Sequence, residues 1–562
     1  MVRGKIEESI IAALAAIGAK GAKFVVERPA MEHGDYATNA ALAAGKALKK
    51  NPREVAEELK KNLEGKIEGI EKIEVAGAGF INFWLSRETI AREIQSVTTK
   101  KWGTNDLQKG KTVLVEYMSP NLFKPLHIGN LVSNILGESV ARLLECSGAV
   151  VKRINYPSDI GLTVAKGVWG LQKLGLDPRD IAQLGRAYVA GTEAYEGAAK
   201  KDIEAVNKAL YENSDPMLNA LRAAGIETSR KHLGELCARL GSAFDNEFFE
   251  SETGSIGRDL VRANVGKVFE ESEDAVVYRG EQDGLHTRVF LTSQGLPTYE
   301  AKDLGLLKLK LEAYPEFDVT ITDTGPEQVE YFKVLYAVAR KIFPALHGKS
   351  LLHIAHGYLK LTTGKMSSRT GNIITGESLL ADLTLASKEK MKGREAGNID
   401  TIAEQVAVGA VKYAVLKQGS GHDIIFDPEK SLSLEGDSGP YLQYARVRAL
   451  SLLREAKKVG VEWATDGRRS GPLGQVLPSA SSPLERLLIH FPDVLARAAK
   501  ELEPHYITTY LTELASTFNS WYARERVIDG PAPAWGLLLV TAVEATLSKG
   551  LHALGIPAPE KM

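Results

Sequence analysis

The chain has 562 residues, 44% hydrophobic and 25% charged, as expected of a globular protein with buried cores and room for two to four domains. That composition excludes a largely disordered chain, a collagen-like repeat and a coiled-coil rod. Lys and Arg number 70 against 71 Asp and Glu, a net charge of −1, so bulk basic charge does not recruit nucleic acid here. Cys146 and Cys237, the two cysteines, are too few for a Cys-rich zinc site and read as reduced thiols. No signal-like apolar core opens the chain and no run reaches the ~20 apolar residues of a membrane span. The expected location is the cytoplasm, with no membrane partner and no protein-held metal.

In chain order, residues 1–86 read as a small α+β domain: a helix over the first twenty residues, a strand near Phe24–Val26, and a helix from Pro52 to Leu63. Strands at Ile73–Ala76 and Phe80–Trp84 close a hairpin at Gly77-Ala78-Gly79. Residues 87–400 form the next domain. Thr112–Tyr117 is a buried strand, Met118–Pro125 a loop, and from His127 apolar residues recur at helical spacing until Gly148; Val150–Ile154 is a second strand. Strand, loop, helix and strand over about forty residues make a βαβ unit and predict a parallel, Rossmann-like sheet. Residues from about 180 to 270 read as a helical insertion, and strands return at Ala275–Tyr278, Thr287–Leu291 and Asp318–Ile321. Residues 401–562 read as an all-α bundle. The expected fold is thus multidomain α/β.

Familiar nucleotide devices are missing. Gly110-Lys111-Thr112 and Gly348-Lys349-Ser350 end like a phosphate loop, but Asn105 and Phe343 stand where its first Gly belongs. Ser119-Pro120-Asn121-Leu122-Phe123-Lys124-Pro125-Leu126-His127-Ile128-Gly129-Asn130 is the alternative. It runs from a strand into a helix N-terminus, where free N–H groups and the dipole favour anions. His127 can donate to a phosphate oxygen, Lys124 adds a cation, and Gly129 allows close approach of a base or ribose. A second candidate, Gly364-Lys365-Met366-Ser367-Ser368-Arg369-Thr370-Gly371-Asn372, is a Gly-bounded loop whose cations and hydroxyls suit a leaving pyrophosphate.

Together, a HIGH-like strand–loop–helix and a KMSKS-like loop about 240 residues later resemble the class I aminoacyl-tRNA synthetases. Val115–Leu131, Pro297-Thr298-Tyr299-Glu300-Ala301-Lys302-Asp303 and Met366-Ser367-Ser368-Arg369-Thr370-Gly371 narrow the resemblance to the arginyl-tRNA synthetases. His33–Asn39 and Gly79–Phe83 resemble that family's N-terminal accessory domain. Gly439–Arg448 and Leu551–Met562 resemble its helical anticodon-binding domain.

The resemblance implies ATP-dependent activation of L-arginine and transfer to the 3′-terminal ribose of tRNA(Arg), with Mg²⁺ on the phosphates and a monomer as the unit. It places Lys124, His127, Asn130, Lys365, Ser367, Ser368 and Arg369 at the chemistry, and His127, Gly129, Asn130, His356, Gly357 and Met366 around ATP. Glu116, Ser119, Asn121, Tyr299, Asp303 and Gln328 fall to arginine, whose guanidinium needs directional carboxylate partners. Tyr441, Tyr444, Arg446, Arg448 and Arg454 fall to tRNA, and His33, Tyr36 and Asn82 offer contacts to its elbow. Three departures stand out. Asn130 replaces the second signature His and never carries positive charge. Ser368 takes the usual second Lys position, with Lys124 as the compensating cation, and Ser158-Asp159-Ile160-Gly161 replaces a Gly-Asp-Trp-Gly-like segment. A catalytically silent tRNA-binding paralogue and a small-molecule nucleotidyltransferase are the alternatives.

Overall fold

The computed structural model describes residues 2–97, 99, 101–362, 375–392, 398–463 and 477–562. The chain forms two compact units, one of residues 1–104, 444–497 and 509–550, the other of residues 105–443, 498–508 and 551–562.

The first unit opens with α1 (Val2–Ala16), β1 (Val26–Glu27), β2 (Tyr36–Thr38), α2 (Ala40–Leu48), α3 (Pro52–Leu63), β3 (Ile70–Ala76), β4 (Phe80–Leu85) and α4 (Arg87–Ser96). Helix α3 starts where expected: Asn51 caps it, Pro52 takes the first turn, and Val55, Ala56, Leu59 and Leu63 form its buried stripe. The sheet runs in the order β1-β2-β4-β3, all antiparallel.

The second unit is built on a five-stranded parallel sheet, β12-β11-β5-β6-β7, from β5 (Thr112–Glu116), β6 (Val150–Asn155), β7 (Asn246–Glu247), β11 (Val319–Thr324) and β12 (Ser350–Ala355). Helix α5 (Ile128–Cys146) is the crossover between β5 and β6. Strand order turns between β5 and β11, which opens a crevice at their C-terminal ends, the place where such sheets bind ligands. A core of Leu114, Ile154, Tyr156, Phe248, Phe290, Phe317 and Val334 packs about this sheet.

The stretch expected to be helical over 180–270 is more varied. Helices α6 (Leu162–Leu174), α7 (Ile181–Tyr195), α8 (Lys200–Glu212) and α9 (Pro216–Leu240) are followed by β7, which joins the main sheet. The Asp245 N–H donates to the Arg153 carbonyl at 2.9 Å, and the Asp245 carboxylate accepts the Arg153 N–H at 2.8 Å. Two residues of strand are too few for periodicity to reveal. After α10 (Glu250–Ala263), strands β8 (Glu270–Ser272), β9 (Ala275–Tyr278) and β10 (Arg288–Leu291) form a separate antiparallel sheet. Then come α11 (Tyr299–Ala313), α12 (Val329–Ile342), β13 (Leu359–Leu361), α13 (Gly376–Lys390) and α14 (Ile399–Leu416). The region beyond 401, where only helix was expected, holds one strand among its described residues: β14 (Ile424–Phe426) pairs with β13.

Helices α15 (Pro428–Ser431), α16 (Gly439–Lys458), α17 (Pro483–Leu488), α18 (Phe491–Glu501), α19 (His505–Tyr522) and α20 (Pro533–Ala553) complete the chain. Within the first unit the N-terminal strands dock on this bundle. The Arg486 guanidinium bonds Asp35 at 2.7 Å, the Tyr36 hydroxyl donates to Asp493 at 2.9 Å, and Arg28 pairs with Glu513 at 2.6 Å.

Candidate functional site

The loop between β5 and α5 carries unusual backbone. Met118, Ser119 and Phe123 have φ of 74°, 36° and 65°, left-handed values that cost non-glycine residues free energy and gather at functional sites. The surroundings hold them there. The Met118 N–H donates to Ser133 at 2.9 Å, the Phe123 N–H to Ser229 at 3.2 Å, and the Leu122 N–H to the Ser158 carbonyl at 3.0 Å. Asn121 bridges to Ser158 and is exposed, while Ser119 is half-buried.

His127 is the N-cap of α5: its Nδ1 accepts the Gly129 N–H at 3.1 Å. An accepting Nδ1 fixes the neutral tautomer with the proton on Nε2. Burial, and then the nearby Lys124 charge, hold the imidazole pKa below its ordinary value, so it stays neutral at physiological pH. The side chain is thus a donor aimed from a helix N-terminus. Asn130 spends an amide hydrogen on the Met118 carbonyl at 2.8 Å, which closes the loop. Lys124 is half-buried.

Across the crevice α11 supplies Asp303. Burial pushes its carboxyl up to about 8; the Tyr331 hydroxyl, which donates to it, opposes that, and the charges of Glu116 and Glu250 add to it. Glu116, at the end of β5, is buried in an ion pair with Lys310, with the Thr322 hydroxyl 3.5 Å away. Its charge therefore has a partner inside the protein. Tyr299 shares the helix with Asp303 but is 70% exposed. Its ring lies 5.3 Å from the Lys302 ammonium, which pairs with Glu250 at 2.6 Å. Gln328, half-buried, caps α12 beyond the end of β11. Lys310, Tyr331 and Glu250 escaped the sequence reading. Lys310 left a signal, standing seven residues after Asp303 among leucines, on the same face of α11.

His356 follows β12, and burial lowers its pKa. At Gly357 a Cβ would come within 1.8 Å of the His422 carbonyl, so packing alone demands glycine there. Lys365, Met366, Ser367, Ser368 and Arg369 lie outside the described residues.

In the bundle, Arg446 pairs with Glu544 at 2.8 Å, and Arg448 donates to Asn519 at 2.7 Å while lying over the Tyr444 ring. Tyr441 and Tyr444 are half-buried, whereas Arg454, Lys457 and Lys458 are exposed. Tyr36 and Asn82, expected as tRNA contacts, are buried at 4% exposure each. Tyr36 is used up in docking on Asp493 and His490, and only His33 of that set is exposed. Among the described residues no helix is long and apolar enough to cross a membrane.

Three family descriptions match in order: "Arginyl tRNA synthetase N terminal domain" over residues 4–85, "tRNA synthetases class I (R), catalytic domain" over 93–428, and "DALR anticodon binding domain" over 442–562. The arginine–tRNA ligase of Treponema pallidum is 31% identical over 97% of this chain and 95% of that protein. That of Exiguobacterium sibiricum is 31% identical over 96% of this chain and 95% of its own. The solved arginyl-tRNA synthetase of Thermus thermophilus superposes with a TM-score of 0.80 at 28% identity, covering both chains fully. The Plasmodium falciparum arginyl-tRNA synthetase structure gives 0.80 at 21% identity over 100% of this chain and 99% of that one, a likeness of fold. By catalytic region, flanking domains and full-length relatives, this chain belongs to the class I arginyl-tRNA synthetases.

Proposed function

We propose that ligation of arginine to tRNA with ATP, the activity of this family, runs in this chain through the crevice between β5 and β11. The carrying observation is His127: a neutral imidazole capping α5, with its Nε2 proton available to a phosphate oxygen. Lys124 adds positive charge, and the α5 N-terminus adds its dipole. Asp303 supplies the carboxylate for the guanidinium, oriented by the Tyr331 hydroxyl. Glu116 contributes negative potential that Lys310 partly offsets. Ser119, Asn121 and Gln328 orient the other end of the amino acid.

The arginine carboxylate attacks the α-phosphate in line and pyrophosphate leaves. The 3′-terminal ribose hydroxyl of tRNA then attacks the adenylate carbonyl and AMP leaves. No protein nucleophile is needed: positioning and charge stabilisation supply the rate. Lys365, Ser367, Ser368 and Arg369 act on the pyrophosphate side. Mg²⁺ bound to the ATP phosphates would neutralise their charge.

For tRNA, the exposed end of α16 at Arg454, Lys457 and Lys458 is the contact we favour, with Tyr441 and Tyr444 beside it. Arg446 and Arg448 hold the bundle together. The working unit is a monomer in the cytoplasm, in keeping with a chain of two cysteines, both buried. Pyrophosphate exchange into ATP tests the reading: exchange requires arginine and tRNA together, and equal exchange with lysine or cysteine rejects it.

A further inference from the structure

Helix α9 closes the helical stretch to which the sequence assigned no task. One face of it touches the nucleotide loop and the segment after β6 to which that loop is bonded through Leu122 and Ser158. The Arg222 guanidinium donates to the Asp159 carbonyl at 2.9 Å. Gly225 leaves room for the Phe123 ring, which a Cβ would meet at 2.3 Å. Ser229 accepts the Phe123 N–H at 3.2 Å. Cys237 lies 3.7 Å from the Met118 sulfur. These positions are spaced three, four and eight residues apart, which keeps them on one helix face.

His232, three residues after Ser229, reaches α13 instead. Its Nε2 lies 2.5 Å from the Glu377 carboxylate in the first turn of α13. That turn is joined to the nucleotide loop by backbone: the Gly376 N–H donates to the Leu126 carbonyl at 3.1 Å, and Thr375 forms a β-bridge with His127. His127 is therefore held on its N-terminal side through Phe123 and on its other flank through Thr375–Gly376. Both holds end on α9.

We propose that α9 is the brace that positions His127 at the nucleotide subsite, with the His232–Glu377 ion pair as its polar latch. The inference rests on the nucleotide-site reading given above. The latch is pH-dependent. The bond to Glu377 raises the His232 pKa, burial opposes it, the charges of Glu377 and Glu235 raise it further, and Arg239 lowers it. With the folded value above the ordinary one, the latch is complete below about pH 6.5 and is lost as pH rises through the raised pKa. For His127, burial and then the Lys124 charge move the pKa the other way, below its ordinary value.

The test is steady-state kinetics of the full-length enzyme from pH 6.5 to 9, reading KM for ATP at saturating arginine and KM for arginine at saturating ATP. In the wild type, KM for ATP rises with pH. In H232A it is about fivefold higher at pH 6.5, the scale of a partly exposed ion pair, and flat with pH, while KM for arginine matches the wild type at each pH. H232K keeps a low, pH-independent KM for ATP, and E377Q behaves as H232A. A wild-type KM for ATP that does not change with pH, or equal rises of both KM values in H232A with no rescue by H232K, overturns the proposal. H127A separates the two levels: if it leaves ATP use unchanged, the nucleotide-site reading itself fails. If H127A impairs ATP use while the H232 variants match wild type, only the brace fails.

Discussion

Asp303 and Glu116 show how two carboxylates of one crevice take different parts. Glu116 has an internal cation, Lys310, and both are buried. Asp303 has a neutral donor, Tyr331, and sits among negative charges, which with burial push it up to about 8. A carboxyl protonated in the free enzyme must give up its proton to face a guanidinium. KM for arginine should therefore fall as pH rises from 6 to 8, and D303N should raise that KM and abolish the slope. A slope that persists in D303N assigns the proton elsewhere. The buried pair gives a stability prediction. K310M leaves Glu116 charged without a partner and should cost about 3–5 kcal/mol, while E116Q/K310M should recover most of it in urea unfolding. At this scale the site was half legible from the chain. Motif residues could be named, but not their partners, because Lys310 and Tyr331 become neighbours only through α11 and α12 packing on the sheet.

At the scale of elements, the loop before α5 depends on glycines in other helices. A Cβ on Gly167 or Gly225 would come within 2.6 or 2.3 Å of the Phe123 ring. G225A should push Phe123 out of its left-handed conformation, cost about 1–3 kcal/mol as overpacking does, and raise KM for ATP more than KM for arginine. Calorimetry with parallel kinetics checks both. Elements with strong local signals were legible from the chain: α3 with its Asn51-Pro52 start, the β3–β4 hairpin, and the β5–α5–β6 crossover. Elements without them were not. β7 and β14 are two and three residues long and exist only through partners far away in sequence.

Across the whole molecule, the His33–Asn39 motif changes meaning. As sequence it pointed outward to tRNA. In the structure Asp35 and Tyr36 are buried against Arg486 and Asp493, so the motif fastens the N-terminal strands to the bundle. R486A leaves Asp35 without its cation and should lower stability by about 3 kcal/mol, seen as a lower thermal midpoint with KM for ATP unchanged. The same lesson applies to the charge balance: Arg446 and Arg448 serve Glu544, Asn519 and Tyr444, so part of the cationic cluster of α16 is spent inside the bundle. The most direct measurement of the central claim is attachment of each of the standard amino acids in turn to tRNA, with ATP and Mg²⁺. Arginine alone should be esterified to the tRNA, and the product should require intact His127 and Asp303. Equal charging of a second amino acid, or tRNA binding with no esterified product, would contradict it.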